Sequence, residues 1–125
     1  LDMVINICEL KNGNFDYVED EIARLRKLTK DKILKVIVET CYLTEEEKIR
    51  LCNIVSKVKA DFIKTSTGFG SGGATIEDVK LFKEHISKDV QIKASGGIKT
   101  KEDMISYLNE GCQRLGTSSA SVLAN

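Results

Sequence analysis

Apolar, β-branched residues gather in five short runs along the chain, and amphipathic segments separate them. Runs of this kind predict strands. The predicted strands are Leu1–Ile7, Ile33–Thr40, Ala60–Ser66, Val90–Ser95 and Arg114–Ser118. The segments between them repeat apolar residues every three or four positions, which predicts helices. The predicted helices are Tyr17–Leu28, Thr44–Val58, Thr75–His85 and Thr100–Asn109.

The last three of these helices each begin with a threonine that precedes an acidic residue by three positions, which is typical of a helix cap. The pairs are Thr44 with Glu47, Thr75 with Asp78, and Thr100 with Asp103. A short final helix is expected to begin at Ser118 or Ser119. Strands that alternate with helices predict βαβ units and a parallel sheet.

Polar side chains fall on one face of each of the first four strands, because residues two apart share a face. They include Asp2, Lys35, Glu39, Lys64, Gln91, Lys93 and Ser95. A doubly wound sheet buries both faces under helices and is almost purely apolar. A polar face instead favours the inside of a barrel. We therefore expect an α/β fold, a partial (β/α)8 TIM barrel with five parallel strands alternating with helices.

Residues 1–125 are expected to form a single domain, the C-terminal portion of such a barrel. A closed barrel has eight strands, so we expect about three βα units to precede Leu1 in a complete protein. Five strands cannot close a barrel alone. The bared edges and inner face predict association with a second copy, as a homo-oligomer, or with the missing piece.

The composition excludes several classes of partner. The net charge is +0, so no strong field favours nucleic acid or an anionic membrane. No apolar run reaches the roughly 18 residues of a membrane span. The four cysteines form no CxxC pair and lie far from His85, so no metal site is expected. We expect free, buried thiols in a cytoplasmic protein; they are Cys8, Cys41, Cys52 and Cys112.

Three lysines, Lys35, Lys64 and Lys93, lie at equal intervals of 29 residues, each within a predicted strand. A partly desolvated lysine beside other cations has a lowered pKa and, as a neutral amine, forms a Schiff base with a carbonyl. Lys64 and Lys93 occupy equivalent places in adjacent strands, and their spacing leaves open which of them is the nucleophile. The alternative for Lys64 is an ammonium that reaches solvent at the strand end.

Two carboxylates accompany these lysines. Asp2 has an inward position, where it would either relay protons or form a salt bridge with Lys35 or Lys93. Glu39 lies four residues from Lys35 on the same face, and we expect these two side chains to pair.

Loops rich in glycine and hydroxyl residues follow the last three strands: Thr67-Gly68, Ser95-Gly96-Gly97 and Gly116-Thr117-Ser118-Ser119. In a barrel, the loops after the last two strands commonly bind phosphate through backbone N–H groups. The alternative is that the glycines serve tight turns that need positive φ.

The motifs DMVINI, KVIVETCYLTEEEKI, ADFIKTSTGFGSGGAT, IKASGGIK and LGTSS resemble deoxyribose-phosphate aldolases over essentially the whole chain. KTSTGF together with KASGGI is the most specific part of this resemblance. The family consists of class I aldolases that reversibly split 2-deoxyribose 5-phosphate into glyceraldehyde 3-phosphate and acetaldehyde. The resemblance thus implies a phosphorylated sugar and an aldehyde as substrates, and it implies no metal or other cofactor.

The resemblance also implies roles for residues of this chain. Lys64 would form the Schiff base, Lys93 would lower its pKa and join in proton transfer, and Asp2 would be the acidic partner working through water. Lys35 would belong to the same polar cluster. The implied substrate and phosphate contacts are Lys35, Thr67, Gly68, Gly96, Gly97, Gly116, Ser118 and Ser119.

The chain departs from the family pattern in two ways. The first three strands, with an Asp-His-Thr segment that contacts substrate, are absent, and position 99 is Lys where many members have Arg. We therefore expect this chain by itself to be weakly active or inactive. The alternative function is that of a non-catalytic, self-associating half-barrel that still binds phosphate.

Overall fold

The computed structural model describes residues 1–67, 72–96, 98 and 100–116, which form a five-stranded sheet and five α-helices. The strands are β1 (Asp2–Val4), β2 (Lys35–Ile37), β3 (Phe62–Lys64), β4 (Gln91–Ser95) and β5 (Arg114–Gly116). The α-helices are α1 (Ile7–Lys11), α2 (Phe15–Leu28), α3 (Glu45–Lys57), α4 (Ile76–His85) and α5 (Lys101–Asn109). A 3-10 helix, Thr40–Tyr42, follows β2.

The sheet runs in the order β1-β2-β3-β4-β5, and each neighbouring pair is parallel. Crossovers between parallel strands are right-handed, so in a sequential sheet all of them pass over the same face. A doubly wound sheet reverses its strand order instead. The predicted partial barrel of parallel strands alternating with helices is confirmed.

The main hydrophobic core lies between one face of the sheet and the helices. Val36, Ile63 and Ile92 stand at the same level of β2, β3 and β4 and belong to this core. The helices contribute Val18, Ile22, Leu51, Val55, Val79, Phe82 and Tyr107. Ile37 and Phe62 are also buried but lie outside this cluster, on the opposite face. The opposite face also carries the polar residues Lys35, Lys64 and Lys93.

The predicted threonine caps are confirmed. Thr44 and Thr100 each form a complete capping box with an acidic residue three positions later, and the Thr75 hydroxyl accepts the N–H of Asp78. Each cap satisfies backbone donors that the first helical turn leaves free. These three helices therefore begin at positions that local sequence fixes.

The first predicted strand, Leu1–Ile7, is too long. The strand ends at Val4, because the Asn6 side chain accepts the N–H of Glu9 and starts helix α1, which the apolar pattern did not predict. The second and third strands are also shorter than the apolar runs that predicted them. The end of the fifth predicted strand and the short helix from Ser118 or Ser119 lie outside the described residues.

None of the helices within residues 1–67, 72–96, 98 and 100–116 has the length and apolar character needed to cross a bilayer.

Candidate active site

The lysine pair lies on two adjacent strands, with Lys64 as the last residue of β3 and Lys93 in the middle of β4. Lys64 of β3 pairs in register with Lys93 of β4, as their equivalent positions predict. Lys35 stands one layer lower, because Ile37 is the β2 residue opposite Lys64, whereas Lys35 pairs with Asp2 and Phe62. The equal spacing of 29 residues therefore brings two lysines, and not three, to one level.

Asp2 joins two of the three lysines. Its carboxylate lies 3.5 Å from the Lys64 Nζ and 3.9 Å from the Lys35 Nζ. The side chains of Lys64 and Lys35 are 12% and 17% exposed, so most of each side chain is withdrawn from water, although the contact of the Lys64 Nζ with Asp2 is exposed. The salt bridge to Lys35 is one of the two alternatives predicted for Asp2. The other predicted partner, Lys93, makes no ion pair within the described residues. The ion pair between Asp2 and Lys64 was not predicted.

Lys93 has a lowered pKa, and burial is the largest cause. The positive charges of Lys64 and then Lys35 lower this pKa further, and Asp2 acts in the opposite direction. Cations that repel one another in a partly buried site favour a neutral amine. The charge of Lys64 is thus one cause of the lowered pKa of Lys93, whereas the resemblance implies an effect of Lys93 on Lys64.

Arg114 is a fourth cation on this face, which the sequence reasoning did not assign to the site. It pairs in register with Lys93, and its guanidinium lies 4.7 Å from the centre of the Phe62 ring. Lys35 lies 5.9 Å from the same ring centre. Strand alternation applied to β5 could have placed Arg114 on the open face. We call the following group of residues the basic cluster: Lys35, Lys64, Lys93, Arg114 and Asp2.

Glu39 does not pair with Lys35, contrary to expectation. It is buried, and its carboxylate accepts both the N–H of Thr67 at 2.9 Å and the Thr67 hydroxyl at 2.6 Å. Thr67 was predicted to contact the substrate phosphate. A phosphate at Thr67 would have to displace the Glu39 carboxylate from these donors.

Hydroxyl groups fasten the ends of β3 and β4 to each other. The Thr65 hydroxyl donates to the carbonyl of Ser95 at 3.2 Å and accepts the Ser95 N–H at 3.1 Å. The Ser95 hydroxyl donates to the carbonyl of Ser66 at 2.6 Å. All three residues are buried. The backbone that follows Lys64 is thereby held against the backbone that follows Lys93.

The described glycines of the predicted phosphate loops serve the backbone. Gly96 has φ +78°, a conformation that favours glycine, and it packs directly on Gly73. Gly116 pairs with Ser95 at the end of β5. The tight-turn alternative therefore applies at Gly96, and it is compatible with phosphate binding. The predicted contacts Gly68, Gly97, Ser118 and Ser119 lie outside the described residues and stay predictions.

The stretch that carries this site also matches a known family. A family model described as DeoC/LacD family aldolase matches residues 1–124.

The chain belongs to the DeoC/LacD aldolase family.

Curated relatives of this aldolase-family chain are named deoxyribose-phosphate aldolase. The chain is 61% identical over 120 residues to the protein of Clostridium botulinum strain Eklund 17B, a match that covers 96% of the chain and 54% of that relative. It is 55% identical over 119 residues to the protein of Clostridioides difficile strain 630, with 95% and 54% covered. The chain thus spans about half the length of the curated relatives it matches.

Solved aldolase structures have the same fold. The aldolase QR15 superposes with a TM-score of 0.90 at 43% identity, over 98% of the chain and 55% of that protein. A deoxyribose phosphate aldolase from Aeropyrum pernix, described as tetrameric, superposes with a TM-score of 0.78 at 29% identity, over 86% and 47%. The five-stranded sheet of this family member therefore has the fold of about half of each of these solved aldolases.

The contact between Gly73 and Gly96 gives a stability prediction. A Cβ on Gly73 would lie 2.4 Å from the Gly96 carbonyl carbon, so Gly73→Ala should push the two loops apart and cost about 1–3 kcal/mol. Gly13→Ala is the matched variant, since Gly13 has φ +80° but no atom within 4 Å of an added Cβ. It should cost about 1–2 kcal/mol through its backbone conformation alone. Urea unfolding measures both.

Crowding at Gly73 should also shift the end of β4 and so change the relative positions of Lys64 and Lys93, whereas Gly13→Ala should leave these positions unchanged. Equal acetaldehyde labelling of Lys64 in the two variants would contradict a role for this contact in the site.

The cysteines are unpaired, but only two are buried. Cys52 and Cys112 are buried, and burial raises their pKa values to about 12 and about 11. Cys8 is exposed and Cys41 is half-buried, contrary to the expectation that all four would be buried. Within the described residues, no group of three or more His, Cys, Asp or Glu side chains is arranged to hold a metal ion.

Proposed function

We propose that this chain carries the imine-forming centre of an aldolase that reversibly cleaves 2-deoxyribose 5-phosphate to glyceraldehyde 3-phosphate and acetaldehyde. The observation that carries the proposal is the basic cluster, in which Lys64, the last residue of β3, and Lys93 of β4 share one level of adjacent strands. Catalytic groups of barrel enzymes lie at the carboxyl ends of the strands. The names of the curated relatives supply the substrate.

Lys64 is the proposed nucleophile. In the cleavage direction its neutral Nζ adds to the aldehyde carbon of the open-chain sugar, the resulting hydroxyl takes up a proton and leaves as water, and an iminium ion forms. A base takes the proton of the C3 hydroxyl, the C2–C3 bond breaks, and its electron pair forms an enamine on Lys64. Glyceraldehyde 3-phosphate departs. Protonation of the enamine and hydrolysis by water release acetaldehyde and restore the amine.

Lys93 and Asp2 are proposed to move the protons in these steps. The lowered pKa of Lys93 favours a neutral amine that can accept a proton and then return it. Asp2 lies 3.5 Å from the Lys64 Nζ and compensates the positive charge of the iminium ion. The Asp2 carboxylate also lies 3.9 Å from the Lys35 Nζ, and its attraction to Lys35 opposes a closer approach to Lys64.

The substrate phosphate is proposed to bind near the loops after β4 and β5, through Gly96, Gly97, Gly116, Ser118 and Ser119, and near Gly68. Lys35 and Arg114 add positive charge to the same face, which favours an anionic substrate. We place the reaction in the cytoplasm, because the cysteines are all unpaired, as is usual for proteins of a reducing compartment.

Enamine formation can be tested separately from cleavage. We expect the chain to catalyse exchange of the acetaldehyde methyl protons for deuterium in heavy water, because reversible enamine formation removes and returns one of these protons. Full cleavage should be weak, since the described sheet is open on the substrate side. Nuclear magnetic resonance follows the exchange, and Lys64→Leu is the control. Exchange at the same rate in both chains would contradict the proposal.

A second candidate function is self-association without catalysis, and the apolar surface beside β1 favours it. Leu28 is 83% exposed, Val4 and Tyr17 are about half exposed, and all three line one surface groove. The unpaired backbone of an edge strand is a template for another strand. Sedimentation velocity should show a dimer or larger species that Val4→Lys weakens. A monomer at all concentrations would exclude this candidate.

A further inference from the structure

Glu39 and its neighbour Thr40 together show three features that are unusual for residues without a role. Glu39 has φ 44° and ψ 69°, a left-handed conformation that is rare for glutamate, and it is 5% exposed. Its neighbour Thr40 has a buried hydroxyl with no hydrogen-bond partner within the described residues. Strained and unsatisfied groups of this kind persist where the surrounding structure requires them, often at functional sites.

Glu39 and its two neighbours, Val38 and Thr40, hold the segment Lys64–Thr67. The N–H of Val38 donates to the carbonyl of Lys64 at 3.0 Å, and the N–H of Thr40 donates to the carbonyl of Thr65 at 2.9 Å. The Glu39 carboxylate then holds both the N–H and the hydroxyl of Thr67. The residues around Glu39 therefore continue the pairing of β2 with β3 beyond Lys64, the last residue of β3.

We propose that Glu39 is a positioning residue that fixes the course of the backbone from Lys64 to Thr67 and so the place of the Lys64 amine. Hydrogen bonds to a carboxylate are short and strong, so two of them on one threonine define its orientation closely. A shift of about 1 Å in a reacting group can cost about a hundredfold in rate. This inference rests on the proposed function, because it assumes that the Lys64 amine reacts.

The test replaces Glu39 with glycine. Glu39→Gly removes the carboxylate and tolerates positive φ, so the loss of the side chain adds no backbone strain. We expect the rate of acetaldehyde labelling at Lys64, trapped with borohydride, to fall at least about tenfold. Glu39→Gln keeps the volume and one acceptor oxygen, and it should restore part of the rate. Urea unfolding of each variant shows whether the effect follows stability, as a purely structural role predicts.

The partner of Glu39 supplies a second arm of the test. Thr67→Val removes the hydroxyl donor and keeps the N–H, so it should slow labelling in the wild type but have a smaller effect in the Glu39→Gly chain. Wild-type labelling rates in Glu39→Gly, or additive effects in the double variant, would overturn the proposal.

A wild-type chain that forms no adduct would count against the proposed function and not against Glu39. Competitive acetylation across a range of pH then reports the Lys64 amine directly, with the exposed Lys57 as internal reference. A changed pH profile at Lys64 in Glu39→Gly, with Lys57 unchanged, would support the positioning role. Identical profiles at both lysines would overturn it.

Discussion

Replacing Lys64 with leucine should abolish the adduct that borohydride traps from acetaldehyde. Lys64 is the proposed nucleophile, and leucine has a similar size but no amine to form the imine. The site should otherwise keep its structure, since Asp2 retains Lys35 as a partner at 3.9 Å. Intact mass spectrometry after reduction measures the added ethyl group, and a complete loss is expected.

Two further variants make this result specific. Lys64→Arg keeps a positive charge beside Asp2 but is not expected to form the adduct, because guanidinium stays protonated in proteins. Lys57→Leu removes an exposed lysine whose side chain is 72% exposed, and it should label like the wild type. An adduct of undiminished yield in Lys64→Leu would show that another lysine is the nucleophile.

Replacing Lys93 with methionine should slow the formation of the adduct by about 10²–10⁴-fold and at the same time stabilise the fold. The loss is the usual contribution of a general acid or base. The gain in stability follows from the pKa of Lys93, which burial and the neighbouring Lys64 lower in the folded chain. Below that lowered pKa Lys93 is charged in the folded chain, where burial and the neighbouring cations disfavour the charge and reduce the free energy of unfolding. Methionine has no charge and removes this destabilisation.

The pH dependence of this effect has a definite sign. Between the lowered native pKa and the unfolded value of about 10.4, the unfolded chain binds more protons, so wild-type stability rises with pH. The stabilisation by Lys93→Met should therefore be largest at neutral pH and shrink as pH rises through this window. Thermal unfolding of both chains over this range measures it. A variant less stable than the wild type at neutral pH would contradict the account.

The fold and the lysine pair were predictable because each depends on a short-range pattern. Strand alternation placed Lys64 and Lys93 on one face, and the parallel register confirms that they lie opposite each other. The helix starts followed from threonine caps that satisfy backbone donors within one turn. Such features need only a few neighbouring residues and are fixed by them.

Features that depend on register or on rare backbone conformations were not predictable. Asp2 contacts Lys64, which is two strands away, and only the stagger of β1, β2 and β3 determines this. The left-handed backbone at Glu39 is unusual for glutamate, and regular strand alternation does not predict it. Alternation predicts an ion pair between Glu39 and Lys35, whereas the Glu39 carboxylate accepts hydrogen bonds from Thr67. Helix α1 has only five residues, too few for an amphipathic period to stand out.

Locating the reduced adduct in the wild-type chain tests the central claim most directly. The purified chain is incubated with acetaldehyde and borohydride, digested, and analysed by peptide mass spectrometry. The basic cluster predicts that the ethyl group lies on Lys64 and that exposed lysines such as Lys57 stay unlabelled at the same aldehyde concentration. Labelling on Lys93 in place of Lys64, or equal labelling of surface lysines, would contradict the assignment of Lys64 as the nucleophile.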